Sequence, residues 1–194
     1  MRSVLLLAAA LAISLTAGPE QAKAEVAAQS DAGFVIKHSA EVPAGQAEVW
    51  AALIAPAKWW SPDHTWSHNA ANLYLDAQAT GCFCEKLPKP ADAPPEQRMG
   101  SAEHMHVIFA DPQRGLLRMA GALGPLQGEA VLGVLTIKLT KAEAGTRIDW
   151  EYVVGGYMRA QPAEIAPAVD QILGEQLGRL AALLTPAPVP APAV

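Results

Sequence analysis

Cysteine, aromatic residues and positive charge are all scarce in this chain. Its only two cysteines are Cys82 and Cys84, too few for a multi-bridge disulfide scaffold or a four-thiolate metal site. Lysine and arginine total 14 against 19 acidic residues and form no cluster, which argues against a nucleic-acid-binding face and against an anionic membrane surface. No apolar run beyond residue 24 is long enough to span a bilayer. The chain also lacks a Gly-x-Ser-x-Gly elbow, a phosphate-cradling glycine loop and a His-Glu-x-x-His helix. These absences weaken an enzymatic reading without excluding it, because cyclase-type catalysis needs only a shaped cavity and one or two placed polar groups.

The N-terminus carries the pattern of an export signal. Arg2 supplies a positive start, Val4 to Leu15 an apolar stretch, and Ala22-Lys23-Ala24 a small-x-small cleavage pattern. Residues 1–24 are therefore expected to be a signal peptide, and the mature protein to be periplasmic or secreted, with no membrane insertion after cleavage. Cleavage removes Arg2, Lys23 and Glu20; from −5, the loss of two cations and one anion leaves −6. Residues 25–32 read as a flexible leader, 33–185 as one domain large enough to bury a core, and 186–194 as a Pro/Ala-rich disordered tail.

Hydrophobic period sets the expected elements. Phe34, Ile36, His38, Ala40 and Val42 share one face of a strand, and Val49, Trp50, Leu53 and Ile54 recur at helical spacing until Pro56. Period two returns over 72–79, and Gly81 bends or bulges the chain before a strand at 82–87. A Pro-rich loop at 88–100 precedes strands at 102–109, 115–120, 129–140 and 146–154, with a glycine-rich connection at 121–128. Ile165, Val169, Ile172, Leu173, Leu177, Leu180 and Leu184 form one stripe, so 164–184 is expected to be a long amphipathic helix with Pro167 in its first turn. Gly174 and Gly178 cost helix propensity there, and close approach of the helix to the sheet is the expected return. The class is α+β: a curved antiparallel sheet wrapped around a long C-terminal helix, with one or two short helices after the first strand.

Several motifs carry a resemblance. Trp59-Trp60, His64-Thr65-Trp66-Ser67, Asn72-Leu73-Tyr74-Leu75-Asp76, the Gly81–Glu85 run, His104-Met105-His106-Val107 and Gly124-Pro125-Leu126-Gln127 together resemble the SRPBCC superfamily. The likeness covers most of 33–185 and lies nearest the branch related to polyketide cyclases and to the activator of the heat-shock chaperone ATPase. It implies the START-like helix-grip fold. Members bind lipids, sterols or hormones, cyclise polyketides or act as cochaperones, so the resemblance implies a fold more firmly than an activity. A cochaperone role fits poorly with export. The motifs are scaffold-like, and no catalytic residue is carried over.

Three constellations compete for a function. Trp59, Trp60, His64 and Trp66 would form an aromatic rim for an apolar ligand, or pack the first helix on the sheet; Trp150 and Tyr152 would line the core or the cavity. Glu85 shares a face with Phe83 and Leu87, so it lies either at a solvated strand end, the favoured place, or inside the cavity, where it becomes a weak candidate for a catalytic acid or base. Cys82, Cys84, His104 and His106 would meet on one face if 84 pairs with 104 and 82 with 106, giving a zinc or copper site that a one-residue slip would scatter. Between thiols two apart on a strand, a disulfide needs a bulge or bend, which Gly81 could supply.

The leading expectation is an exported protein that binds a small hydrophobic or amphipathic ligand between sheet and C-terminal helix. No cofactor is expected, and no protein partner is assigned. The alternatives are a cyclase- or isomerase-like enzyme using Glu85 or a cavity histidine, and a Cys/His metal or redox site.

Overall fold

The computed structural model describes residues 25–186; the expected signal peptide, and the tail beyond Pro186, lie outside the described residues. Among the described residues, eight strands form one antiparallel sheet: β1 (Glu25–Ser30), β2 (Gly33–Val42), β3 (Leu73–Leu75), β4 (Cys82–Leu87), β5 (Gly100–Asp111), β6 (Leu116–Ala120), β7 (Ala130–Ala142) and β8 (Gly145–Tyr157). Their spatial order is β1-β2-β8-β7-β6-β5-β4-β3. Helix α1 (Gln46–Leu53) and three single 3-10 turns connect β2 to β3, and α2 (Pro162–Leu183) follows the last strand. The α+β arrangement expected from the period pattern is the observed one.

The alternation read in the sequence becomes the two faces of the sheet. Phe34, Ile36, His38, Ala40 and Val42 of β2 are buried, as are Leu135, Ile137 and Leu139 of β7 and Ile148, Trp150, Tyr152 and Val154 of β8. These residues line the concave face, and α2 lies across it against β2 and β1. Its Leu173, Leu177 and Leu180 are fully buried.

Residues 25–32, expected to be a flexible leader, instead supply β1, whose residues pair with β2 from Glu25↔Lys37 to Ser30↔Gly33. The outer edge of β2 would otherwise present a row of unpaired backbone groups, and Val26 adds a half-buried contact with the core. The strand expected over 72–79 is shorter and ends at Leu75. The chain turns there, and Gly81 is needed at the turn because a Cβ would overlap the Asp76 carbonyl oxygen.

Helix α2 starts two residues earlier than expected, which moves Pro167 from the first turn to the second, where it removes one helical N–H. Gly174 faces the sheet: a Cβ would sit 2.9 Å from the His38 ring, whose Nε2 lies 3.0 Å from the Asp170 carbonyl oxygen. Gly178 has no neighbour within 4 Å of such a Cβ, so close approach explains only one of the two glycines.

Aromatic rings fill the space enclosed by sheet and helix. Ring centroids run from Trp150 to Trp59 at 6.0 Å, on to Trp60 at 5.5 Å, to Phe83 at 5.0 Å and to His104 at 5.0 Å. The void left among Leu53, Trp59, Phe83, Met105, Leu135 and Trp150 measures about 20 Å³. That volume suits a single water at most. Each large ring removes roughly 150–250 Å² from water, so displacing one to admit a ligand would cost several kcal/mol. The deep interior is thus a packed core rather than a binding chamber.

Candidate ligand-binding groove

A buried carboxylate organises the segment that leads into the site. Glu85 projects from β4 beside Phe83 and is fully buried. Its Oε1 accepts the Ser67 N–H at 2.6 Å, and its Oε2 accepts the Trp66 N–H at 3.0 Å and lies 3.0 Å from His104 Nε2. The solvated strand end favoured from sequence is therefore not where Glu85 sits. Two backbone donors in a connection without regular structure require an acceptor, and the carboxylate supplies it.

The same segment is stitched internally. Thr65 Oγ1 donates to the Pro62 carbonyl and accepts from the Asn69 N–H, while Asn69 Oδ1 accepts from the Ala71 N–H. Burial pushes the Glu85 carboxyl upward, but hydrogen bonds from Ser67, the Trp66 N–H and His104 outweigh it and hold the group below the usual carboxylate range. Glu85 stays ionised at neutral pH.

His104 reaches this carboxylate through a β-bulge. Phe83 pairs with Met105 and Cys84 with Glu103, so His104 is the extra residue on β5, and His104 and Met105 are both buried. Burial lowers the affinity of His104 for a proton more than Glu85 raises it. An ionised Glu85 can only accept, which places the imidazole proton on Nε2 and leaves a lone pair on Nδ1.

His104 also forms part of the wall of a groove of about 560 Å³ that opens between the N-terminal half of α2 and the rim of the sheet. Ile165, Ala168, Val169 and Ile172 line the helix side. Leu123 to Leu126 form the opposite lip, and Trp60 with Asp63 to Trp66 closes one end. The walls are mostly apolar, with Asp63, His64, Thr65, His104, Glu129 and Glu164 as the polar side chains that line them.

Side-chain bonds hold both lips. Tyr152 Oη accepts the Leu123 N–H at 3.3 Å and donates to the Gly121 carbonyl at 3.2 Å; burial pushes its phenol up to about 12, so it stays protonated. Glu129 is paired with Arg159 at 2.7 Å, and His64 Nε2 lies 3.1 Å from Glu175 Oε2. Gln176 and Arg179 fasten α2 to the tryptophan segment: Gln176 Oε1 accepts the Ser61 N–H, and Arg179 Nε donates to the Trp59 carbonyl.

The candidates read from sequence divide between these places. Trp60, His64 and Trp66 line the groove, Trp66 being half exposed. Trp59 and Trp150 border the small interior void, Tyr152 braces a lip, and Glu85 lies behind His104. Sequence reasoning missed Asp63, the lip at 123–126, Glu129 and the helix residues Glu164, Ile165 and Ala168. One signal was available: the α2 stripe continues toward its N-terminus as Ile165, Val169 and Ile172, and these three remain half-buried where Leu173, Leu177 and Leu180 are covered.

The Cys/His quartet does not assemble. Cys82 faces His106 across the ladder as expected, but the bulge sets Cys84 opposite Glu103 and turns His104 to the concave side. Cys82 and Cys84 are joined by a disulfide, with Cα atoms 5.4 Å apart, closer than the roughly 6.5 Å of two steps along a flat strand. Glu103, which the expected quartet did not include, offers a potential metal-donor atom within 4.8 Å of both sulfurs.

No family model matches this chain, and neither does any curated protein. Solved structures do resemble it. A putative uncharacterised protein from Rhizobium leguminosarum superposes with a TM-score of 0.54 at 19% identity, over 77% of this chain and 93% of that one. CalU16 from Micromonospora echinospora gives 0.54 at 14% identity, over 88% of each chain. Ara h 8.0201 gives 0.51 at 11% identity, over 77% of this chain and 96% of that one. These likenesses establish the fold alone: a helix-grip arrangement of curved antiparallel sheet and long C-terminal helix.

Proposed function

We propose that this protein is an exported member of the SRPBCC superfamily that binds one small hydrophobic or amphipathic molecule in the groove beside α2. The observation that carries the reading is the groove itself. Its volume of about 560 Å³ falls within the usual range for small-molecule sites, and its walls are mostly apolar with a few polar side chains among them. The filled interior moves the expected site outward, from the concave space to the gap between the N-terminal half of α2 and the 123–126 lip. An apolar body would lie along Ile165, Val169 and Ile172, with a polar head toward His64 and His104. Export is inferred from the N-terminal signal pattern. Native mass spectrometry of protein purified from its own host tests the reading, followed by thermal-shift screening with fatty acids, sterols and aromatic compounds. A bound small-molecule mass or a saturable stabilisation is expected; an empty protein with no shift across the panel would count against it.

The pairing of His104 with Glu85 supports a second reading, a cyclase- or isomerase-like reaction. Here Nδ1 of neutral His104 would take a proton from a carbon beside a bound carbonyl and return it elsewhere on the ligand, while Glu85 stabilises the transient imidazolium. Glu85 would then be a positioning residue, since it does not reach the groove. On this reading His104→Gln retains ligand binding and loses turnover of carbonyl compounds; equal turnover in both proteins would remove His104 from any reaction.

A further inference from the structure

On the opposite, convex face of the sheet, three metal-binding side chains meet at the β4–β5 ladder, and a fourth, His106, lies beside one of them. Potential ligand atoms of Cys82, Cys84 and Glu103 all lie within 4.8 Å of one another. His106, the ladder partner of Cys82, places Nδ1 3.7 Å from Glu103 Oε1. Glu103 and His106 are each about half exposed, so an ion could reach them from solvent. The bulge that withdraws His104 creates this set by bringing Glu103 opposite Cys84.

We propose that Cys82, Cys84, Glu103 and His106 form a redox-gated site for one zinc-like divalent ion, closed while the disulfide is present and open once it is reduced. Two thiolates, one imidazole and one carboxylate suit a borderline-soft, four-coordinate cation. Opening consumes two electrons and two protons from an external thiol reductant. The S–S bond breaks to give two thiols, and the reductant leaves as its own disulfide. The incoming ion then displaces both thiol protons, so two protons are released for each ion bound. With the disulfide intact the sulfurs are spent on each other, and only Glu103 and His106 remain, too few to hold the ion tightly.

This proposal is independent of the groove, which lies on the other side of the sheet. Its test is a cobalt(II) titration of the whole protein before and after reduction by a phosphine, followed by competition with zinc. Reduced protein is expected to bind one cobalt per chain with thiolate-to-metal charge-transfer absorption, and zinc is expected to abolish that band. Oxidised protein should show no such band. Glu103→Gln and His106→Asn lie on the exposed face and should fold normally, each weakening binding by at least the roughly tenfold seen when a metal site loses even a supporting partner. Circular dichroism verifies that reduced protein and variants remain folded. A folded, reduced protein that binds no cobalt would overturn the proposal, as would unchanged affinity in both variants.

Discussion

His104 Nε2 lies 3.0 Å from Glu85 Oε2, where a bulged strand meets the carboxylate that holds the Trp66–Ser67 backbone. This one pair links the register of β4 and β5 to the wall of the groove. Removing the carboxylate should therefore affect both stability and shape. Glu85→Ala leaves three donors without an acceptor, the part-buried Trp66 and Ser67 N–H groups and the buried His104 Nε2–H, and each buried one is worth about 1–3 kcal/mol. A loss of roughly 3 kcal/mol in urea unfolding is expected, with Glu85→Gln falling between it and wild type because an amide oxygen still accepts. A loss below about 1 kcal/mol for Glu85→Ala would show that water satisfies these donors.

The same pair sets an acid response. Folding holds His104 below its ordinary 6.5, so as pH falls beneath about 6.5 the unfolded chain takes up a proton that the folded chain refuses. Stability should decline there and level off once folded His104 is protonated. Folding also holds Glu85 below its ordinary 4.5, and its contribution, present above that value, is lost as pH falls through the folded value. Unfolding free energies measured from pH 8 to pH 3 should show both declines. His104→Asn should lack the upper one, and a profile identical to wild type would assign that decline to other histidines.

Two glycines of α2 should respond in opposite directions to the same change. Gly178 is exposed and unobstructed, so Gly178→Ala should stabilise the helix by about 0.5–1 kcal/mol. Gly174→Ala gains the same propensity but drives a methyl against the His38 ring, and overpacking of this kind costs about 1–3 kcal/mol. Paired denaturation curves provide the comparison; equal stabilisation by both would mean that α2 is free to lift from β2.

How much of this was legible in sequence depended on the range of the interactions involved. Strand and helix identities follow from side-chain period, a local property, and β2, β4, β8 and α2 lie close to where the pattern placed them. The bulge at His104 left no mark, because an extra residue in β5 is defined only against its partner β4. The Cys/His quartet failed at that one residue. Glu85 was similarly opaque: its burial depends on two N–H donors some eighteen residues earlier in the chain, in a connection with no periodic signal. The filled interior could not be inferred either, since Trp59 and Trp60 suit a rim or a core equally well by composition. The half-covered N-terminal end of the α2 stripe was present in the sequence as apolar residues, but exposure distinguishes groove from core only in three dimensions.

The most direct test of the groove is titration with an amphipathic naphthalene-sulfonate dye in wild type and in Ala168→Trp. Ala168 is exposed on the groove wall, so an indole there should occupy the groove while leaving the packed interior unchanged. Wild type is expected to bind one dye saturably, and Ala168→Trp to lose that binding at least tenfold while unfolding at the same urea concentration. Equal dye binding by the two proteins, or none by either, would contradict the assignment of the ligand site to this groove.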